Sequence, residues 1–405
     1  MKLLFVSGLY SRSLEEIFKC NSKSHSIQNA PNVFQWAVVD GLMKNNVDFE
    51  VVSFPFLASY PKGYRRLFAP SSDVVLNDKV IGKSIHYCDL ILYKNYSIKS
   101  RLKEYVRNWI ERNRQEDHLW VLVYTPLDIF ISPLSALKKK YPNVKISSIV
   151  TDLPDDALNF SVNRTFLKRI QCGIEKNRQK KLYGSIDKFV LLSDAMKEKI
   201  PQAEGKYIVM EGICSSFCSK NKVIEKHSKE KTLIYTGSLH EFAGIKDLVD
   251  AFMLTSNPDF RLVICGIGEC EDYIKEKSCE DNRIVFKGNV SRSEAIILQT
   301  NATVVINPRK PNGGITKYSF PSKTMEYMSS GTPMIGYKLE GIPEEYFEHI
   351  YCIDDLSLKG LVDKINAVLS LSQSELNVKA ENAANFIMDS KNAARQMKRI
   401  LDFIR

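Results

Sequence analysis

Short apolar runs alternate with amphipathic stretches along most of the chain. In the first half these runs are residues 3–6, 49–54, 90–93, 119–124, 146–150, 189–192 and 207–210. A second series follows at residues 233–235, 262–265, 284–286, 304–306 and 333–337. Short apolar strands separated by helical patterns are typical of parallel sheets with helices on their faces. The pattern therefore predicts an α/β protein with a β-strand in each run.

The alternation is interrupted at residues 220–231, which are charged and poor in apolar side chains. Such a segment predicts a linker between two domains. We expect two doubly wound, Rossmann-like domains facing a cleft, formed by residues 1–215 and 232–385. In sheets of this kind, ligands bind beyond the carboxyl ends of the strands. Residues 386–405 are predicted to form a terminal helix, because apolar side chains recur there at helical spacing.

Residues 302–333 carry the most informative local pattern. The apolar run 302–306 predicts a buried strand, and Asn312-Gly313-Gly314 predicts a loop after it. Pro321 and Ser322 are typical of a helix entry and N-cap, and Gly331 is a stop signal. The helix between them has about two turns, roughly 12 Å, with Met325 and Met328 available to face the core.

The start of this helix predicts an anion site. Its first amides face the loop, and Lys323 lies beside them. Glu326 lies one turn further along, where its carboxylate could accept hydrogen bonds from vicinal sugar hydroxyls. The pattern favours a ligand that combines phosphate and sugar. The alternative is an ordinary helix of a doubly wound domain, with Lys323 merely solvated.

This segment resembles the donor-site signature of the family 4 retaining glycosyltransferases, in which two glutamates eight positions apart precede a Gly-Thr-Pro turn. Glu326 matches the second glutamate, and Gly331-Thr332-Pro333 matches the turn. Tyr318 stands at the position of the first glutamate, which is a departure from the pattern. Phe320-Pro321-Ser322-Lys323 looks like a variant found among bacterial polysaccharide and capsule transferases.

The resemblance implies a GT-B fold. Its first domain would bind the acceptor, its second would bind a nucleotide diphosphate sugar, and its terminal helix would cross back onto the first domain. The resemblance covers the second half of the chain well, at residues 235–239, 244–252, 265–269 and 285–290. In the first half only the first strand and residues 187–196 look familiar.

Relatives carry an arginine at the position of Ser238 and a lysine at that of Ala243, and both charges hold the diphosphate. Here Gly237 and Ser238 offer only backbone amides and a hydroxyl. We expect the missing charge to come from Arg309, Lys310 and Lys323, although the first two could equally lie on a solvated loop. The expected donor-binding set is Gly237, Ser238, Gly266, Val290, Arg309, Lys310, Tyr318, Ser322, Lys323, Thr324 and Glu326. Within that set, the turn at Gly266 is weak evidence when taken alone.

Asp152 is the candidate catalytic residue of the first half, alongside Glu326 in the second. It follows the apolar run 146–150, and a carboxylate at the end of a strand could orient or deprotonate an acceptor hydroxyl. The alternative is a helix entry that continues through Asp155 and Asp156. Residues 7–32 predict a long loop that binds the acceptor or moves.

The length and composition of the chain are those of an ordinary globular protein. The chain has 405 residues, 44% hydrophobic and 26% charged, with no apolar run near the roughly 20 residues that span a bilayer. Residues 1–8 are predicted to form a strand and not a signal peptide, because their apolar part is too short. The nine cysteines show neither disulfide-framework nor zinc-ligand spacing, so we expect reduced thiols, no metal and a cytoplasmic protein.

The net charge of +10 is concentrated at residues 62–66, 99–114, 138–140 and 168–181. A face attracted to an anionic membrane or to a pyrophosphate-linked acceptor would explain it, as would solvated helix faces on a basic protein. These segments match no nucleic-acid motif, so no nucleic-acid partner is expected.

The sequence favours a retaining glycosyltransferase acting on a glycan or lipid-linked glycan in bacterial surface polysaccharide synthesis, with no cofactor besides the donor substrate. A catalytically inactive GT-B protein that binds nucleotide or glycan, and a sugar-nucleotide epimerase on the same fold, remain the alternatives.

Overall fold

A computed structural model describes residues 1–23, 29–153, 177–178, 180–214, 230–311, 314 and 316–405. The chain divides into two compact units. Met1–Ser215 and Ala393–Arg405 form the first unit, and Ser216–Asn392 forms the second.

The described part of the first unit contains an eight-stranded sheet in the order β3-β4-β2-β1-β5-β6-β7-β8. Its strands are β1 Lys2–Ser7, β2 Asp48–Ser53, β3 Ser72–Leu76, β4 Lys79–Ser84, β5 Leu119–Tyr124, β6 Val144–Val150, β7 Lys188–Leu191 and β8 Tyr207–Val209. The β3–β4 pair is an antiparallel hairpin at one edge, and the other pairs are parallel. Every residue of β5 is buried, as expected for a central parallel strand covered on both faces. Helices between these strands include α1 Arg12–Asn21, α2 Asn29–Lys44, α3 Lys94–Arg112 and α4 Asp128–Lys140.

The described part of the second unit contains a six-stranded parallel sheet in the order β11-β10-β9-β12-β13-β14. Its strands are β9 Lys231–Thr236, β10 Phe260–Cys265, β11 Ile284–Gly288, β12 Val304–Asn307, β13 Met334–Tyr337 and β14 Tyr351–Ile353. Its helices are α5 Ile245–Met253, α6 Glu271–Glu280, α7 Arg292–Asn301, α8 Ser322–Ser329, α9 Leu358–Leu369 and α10 Gln373–Ser390. The strand order reverses between β9 and β12, and a doubly wound sheet opens a ligand crevice at such a point.

The last helix, α11 Ala393–Ile404, returns to the first unit and packs against α2. A side chain at Gly41 would overlap the Ala393 carbonyl and Met397, so this glycine permits the close approach of the two helices. The amide of Asn45 donates to the Ala394 carbonyl at 2.8 Å. Residues 386–390, expected to start this terminal helix, instead complete α10, whose apolar face (Leu376, Ala380, Ala383 and Ile387) is buried in the second unit.

Two local predictions are wrong. Residues 90–93 form a turn and not a strand, because the amides of Tyr93 and Lys94 both donate to the Leu90 carbonyl at 2.8 Å and lead into α3. Residues 7–32 are not one long loop, since α1 lies within them. The apolar side chains of α1, Leu14 and Phe18, are buried against Tyr10 and Tyr64.

Several sequence predictions concern residues outside the described ranges. These are Asp155 and Asp156, most of the basic segment 168–181, the linker up to residue 229, and the pair Asn312-Gly313.

Candidate functional site

The end of β9 and the helix α8 meet at the point where the strand order of the second sheet reverses. The ammonium of Lys323 donates to the Thr236 carbonyl at 2.6 Å. The fully buried hydroxyl of Tyr327 donates to the same carbonyl at 3.1 Å and accepts from the Thr236 amide at 3.0 Å. Because Lys323 and Tyr327 are four residues apart, both lie on the helix face that points toward this strand end.

Glu326 lies on the same helix and is held from the neighbouring helix α7. The Gln299 amide donates to Glu326 Oε1 at 2.7 Å and to the Thr236 hydroxyl at 2.7 Å. A guanidinium nitrogen of Arg292 lies 3.6 Å from Glu326 Oε2, and the Glu326 side chain keeps 33% of its exposure. The carboxylate is therefore oriented by two neighbours while remaining accessible to a ligand.

Glycines bring the loops after β9, β10 and β12 into backbone contact. Gly266 has φ 150°, and a side chain there would overlap the Gly237 carbonyl. Gly244 has φ 78°, in the left-handed region, and a side chain there would overlap the Pro308 carbonyl. The Gly237 amide donates to the Cys265 carbonyl at 2.8 Å. These approaches place the backbone of three loops at one edge of the sheet.

Two cations at this edge are shielded from water. Burial lowers the pKa of the Lys323 ammonium below its ordinary value, and the nearby Glu326 carboxylate opposes that shift. Burial also lowers the pKa of the Arg309 guanidinium. Within the described residues, the Nε of Arg309 is buried without a hydrogen-bond partner, and its guanidinium lies 5.8 Å from the centre of the Phe242 ring. A buried donor of this kind is costly unless it is paired, so the site is suited to an anion.

Lys310 differs from these two cations, because its ammonium is 2.7 Å from the Asp247 carboxylate. Its charge is thus already compensated by the protein.

The other expected donor residues lie around this edge with different exposures. Ser238 is exposed and its carbonyl accepts from the Tyr235 hydroxyl at 2.8 Å, while Gly266 and Val290 are half-buried. Tyr318 is half-buried, with the Lys317 ammonium 5.5 Å from the centre of its ring. Thr324 is fully buried, so its side chain lies in the packed interior. Ser322 is exposed and is the first residue of α8, whereas Pro321 occupies the N-cap position expected for Ser322.

Asp152 lies in the first unit, just beyond the carboxyl end of β6, and is exposed. The Thr151 hydroxyl donates to its carboxylate at 3.2 Å. One strand away, Thr125 follows β5 with φ 58°, a conformation that β-branched residues rarely adopt. Such backbone strain is concentrated at functional sites, which makes the ends of β5 and β6 the candidate acceptor surface.

The predicted residues Lys323 and Glu326 lie together at this strand end. Gln299, Arg292 and Tyr327, which contact them or Thr236, were not predicted from the sequence. The spacing from Lys323 to Tyr327 was a usable signal, because residues four apart share a helix face. Gln299 carried no local signal, since its two partners, Thr236 and Glu326, are distant in sequence.

No group of three or more His, Cys, Asp and Glu side chains in the described ranges is arranged to hold a metal ion. No helix in the same ranges is long and apolar enough to cross a membrane.

A known protein family matches the part of the chain that contains this candidate site. Residues 219–386 match the family model described as glycosyl transferases group 1. No curated protein matches the chain.

Solved structures share the fold over nearly the whole chain. Sucrose-phosphate synthase from Thermosynechococcus elongatus is 14% identical with a TM-score of 0.65, and the match covers 100% of this chain and 99% of that chain. The lipopolysaccharide outer core galactosyltransferase WaaB is 16% identical with a TM-score of 0.58, covering 100% and 99%. A mutant of S. aureus TarM, in complex with fondaparinux, α-GlcNAc-glycerol and UDP, is 9% identical with a TM-score of 0.60, covering 100% and 99%.

These neighbours confirm the GT-B fold predicted from the sequence. The domain match and the fold together support a glycosyltransferase.

Proposed function

We propose that the protein is a retaining glycosyltransferase of family 4 type. It moves a sugar from a nucleoside diphosphate sugar to a glycan or lipid-linked glycan in bacterial surface polysaccharide synthesis. The observation that carries this proposal is the combination of Lys323, Arg309 and Glu326 at the strand-order reversal of the second sheet.

The diphosphate occupies the edge formed by the Gly237 loop and the start of α8. Arg309 brings a buried donor without a partner in the described structure, and Lys323 brings a partly desolvated ammonium. Charge-assisted hydrogen bonds from such groups are strong. They stabilise the negative charge that develops on the leaving diphosphate, and they replace the charges that relatives carry at the positions of Ser238 and Ala243.

The ribose binds at Glu326, whose carboxylate accepts hydrogen bonds from the vicinal hydroxyls. Gln299 and Arg292 fix the orientation of this carboxylate before the ligand arrives, which lowers the cost of ordering on binding. The transferred sugar lies toward Tyr318, and Asp152 orients the acceptor hydroxyl. Retention follows from attack on the same face of the sugar that the diphosphate leaves.

The test is a transferase assay with a panel of nucleotide sugars and glycan acceptors, starting with UDP-sugars because UDP is bound in the TarM complex. Glu326→Ala is expected to lower turnover roughly 10- to 150-fold, the range for a lost charge-assisted hydrogen bond of about 1.5–3 kcal/mol. Glu344→Ala, which removes an exposed carboxylate of the second unit, serves as the matched control. Unchanged turnover in Glu326→Ala would overturn the assignment of this residue.

Two other functions are distinguished by the same assay. Tyr318, Ser238 and Ala243 replace charged residues of relatives, which favours an inactive protein that binds nucleotide or glycan. Turnover of any nucleotide sugar eliminates that alternative. An epimerase would convert the donor without an acceptor, so acceptor-dependent product formation eliminates it.

A further inference from the structure

The first unit exposes a compact set of large apolar side chains, which we call the apolar patch: Leu67, Phe68, Leu90, Ile91, Leu92, Tyr93 and Tyr96. Leu92 keeps 93% of its exposure, Tyr96 63% and Phe68 56%. Most of the exposed large apolar residues described in this unit belong to the patch. Such a concentration marks an interaction surface, whereas isolated exposed apolar residues need no explanation.

The two chain segments that carry the patch lie side by side. Phe68 pairs with Cys88 in an antiparallel bridge, and the Asp89 amide donates to the Leu67 carbonyl at 2.8 Å. The rings of Tyr93 and Tyr96 are 5.2 Å apart. The apolar side chains therefore form one continuous surface and not two separate ones.

Buried polar contacts hold the patch in place from beneath. The Asp89 side chain is completely buried, with its carboxylate 2.8 Å from the Lys94 ammonium. The same ammonium donates to the Leu57 carbonyl. Tyr87, fully buried under the turn, donates to the Pro55 carbonyl at 2.6 Å. This support explains how side chains as apolar as Leu92 remain directed outward.

The exposed charges within the two chain segments that carry the patch have one sign. Lys62, Arg65 and Arg66 are exposed next to it in sequence. Residues 54–72 and 85–103 contain one carboxylate, Asp89, and that residue is buried. The exposed Val75 and Val80, on the β3–β4 hairpin of the same unit, have Asp73 and Asp78 nearby in the chain and lack this asymmetry.

The geometry points to an anionic lipid bilayer as the occupant of the apolar patch. Leu92 and its apolar neighbours enter the boundary between headgroups and acyl chains, and Lys62, Arg65 and Arg66 contact the lipid phosphates. Apolar burial combined with attraction of basic residues to anionic lipid is the physical basis of peripheral membrane binding. A lipid surface fits better than a protein partner, because aromatic, aliphatic and cationic side chains occur together in two segments that contain no exposed carboxylate.

The proposal is tested by sedimentation of the full chain with vesicles of phosphatidylcholine alone and of phosphatidylcholine mixed with phosphatidylglycerol. Wild-type protein is expected to bind the anionic vesicles at least about tenfold more tightly, with the preference weakening as salt rises. The double variant Ile91→Ser, Leu92→Ser is expected to lose about tenfold or more in anionic-vesicle affinity. Arg65→Gln, Arg66→Gln is expected to lose the preference for anionic lipid.

The matched control is Val75→Ser, Val80→Ser, which removes exposed apolar side chains from the hairpin outside the patch and is expected to bind like wild type. A Leu92→Trp variant adds a direct readout, because an inserted indole is quenched by brominated lipid beyond the wild-type level. UDP binding, measured in the same variants, reports the donor site separately and is expected to stay unchanged.

Equal binding of wild-type protein to neutral and anionic vesicles would overturn the proposal. It would also be overturned if Ile91→Ser, Leu92→Ser left vesicle binding intact, or if the hairpin control lost as much. If wild-type protein formed a dimer that the Leu92 variant dissolved, without any vesicle binding, the patch would be a protein interface.

Discussion

Lys323 and Lys310 are both half-buried at the carboxyl edge of the second sheet, but their surroundings differ. Lys310 pairs with a carboxylate at 2.7 Å, whereas Lys323 donates to a backbone carbonyl. We expect Lys323→Ala to weaken UDP binding roughly 10- to 150-fold, because it removes a charge available to the diphosphate. Lys310→Ala should have a smaller effect, since the Lys310 charge is already compensated. Calorimetric titration with UDP measures both.

The pH dependence of UDP binding gives a second check on Lys323. Its pKa is lowered by burial, so the neutral amine forms at lower pH than in an ordinary lysine. Affinity for UDP should therefore fall as pH rises through that lowered pKa in the wild-type protein. This alkaline loss should be absent from Lys323→Ala and present in Lys275→Ala, an exposed lysine of α6. The same alkaline profile in all three proteins would place the titrating group elsewhere.

Gln299 is expected to be a positioning residue for Glu326. Gln299→Glu replaces the amide donor, 2.7 Å from the Glu326 carboxylate, with a second carboxylate. Two carboxylates this close share a proton, so one pKa of the pair rises. UDP binding by this variant should be weak at alkaline pH and recover as pH falls. Gln299→Leu removes the same hydrogen bond without adding charge, so it should weaken binding without that acid recovery. Identical pH profiles for the two variants would contradict the arrangement.

At the residue scale, sequence reasoning proposed those residues of the candidate site that are local in sequence. Lys323 and Glu326 were visible because they lie on one short helix that follows a glycine loop. Gln299 was not, because its role depends on contacts with residues 63 and 27 positions away in the chain. The pairing of Lys310 with Asp247 was hidden for the same reason.

At the scale of elements, the loops after β9 and β10 touch through Gly266. We expect Gly266→Ala to force the Gly237 loop away, because the added methyl would overlap the Gly237 carbonyl. Gly288→Ala is the matched control, since Gly288 has φ 66° but open space around its missing side chain.

The control Gly288→Ala should lower the free energy of unfolding by about 1 kcal/mol, because an alanine is strained in a left-handed backbone. Gly266→Ala should lower it by about 1–3 kcal/mol more, because the added methyl overpacks the two loops. It should also weaken UDP binding. Hydrogen exchange of the β10 amides measures the stability change. Equal costs for the two variants would show that the loops can separate freely.

The strands of both sheets were largely predictable from apolar runs, because central parallel strands are buried on both faces. Residues 90–93 show the limit of that rule. These four residues are as apolar as those of a buried strand, yet their side chains are exposed. The sequence pattern shows which residues are apolar but not whether other elements cover them. Helix α1 was missed because only Leu14, Ile17 and Phe18 mark its apolar face among polar neighbours.

At the scale of the whole molecule, the chain enters the second unit once and returns to the first with α11. The resemblance to GT-B transferases predicted this return, but the boundary at Ala393 depends on packing. Residues 386–390 extend α10 because Ile387 is buried there, and the Ala393 amide then donates to the Cys214 carbonyl at 2.8 Å in the first unit. No local signal in the sequence shows that residues 386–390 pack in the second unit whereas the residues from Ala393 onward pack in the first.

Helix α11 belongs to the first unit and not to the second, so its packing can be disturbed separately from the donor site. Ile400 is fully buried in the first unit, so Ile400→Ala should lower the free energy of unfolding of that unit by about 2–5 kcal/mol. Hydrogen exchange in α2 and β1 should accelerate accordingly, because α11 packs on α2. Amides of α8 and the affinity for UDP should stay unchanged, since every proposed donor residue lies in the second unit. Lys398→Ala, an exposed residue paired with Asp402, should change stability by about 0.5 kcal/mol or less. A parallel loss of α8 protection and UDP binding in Ile400→Ala would mean that the two units unfold together.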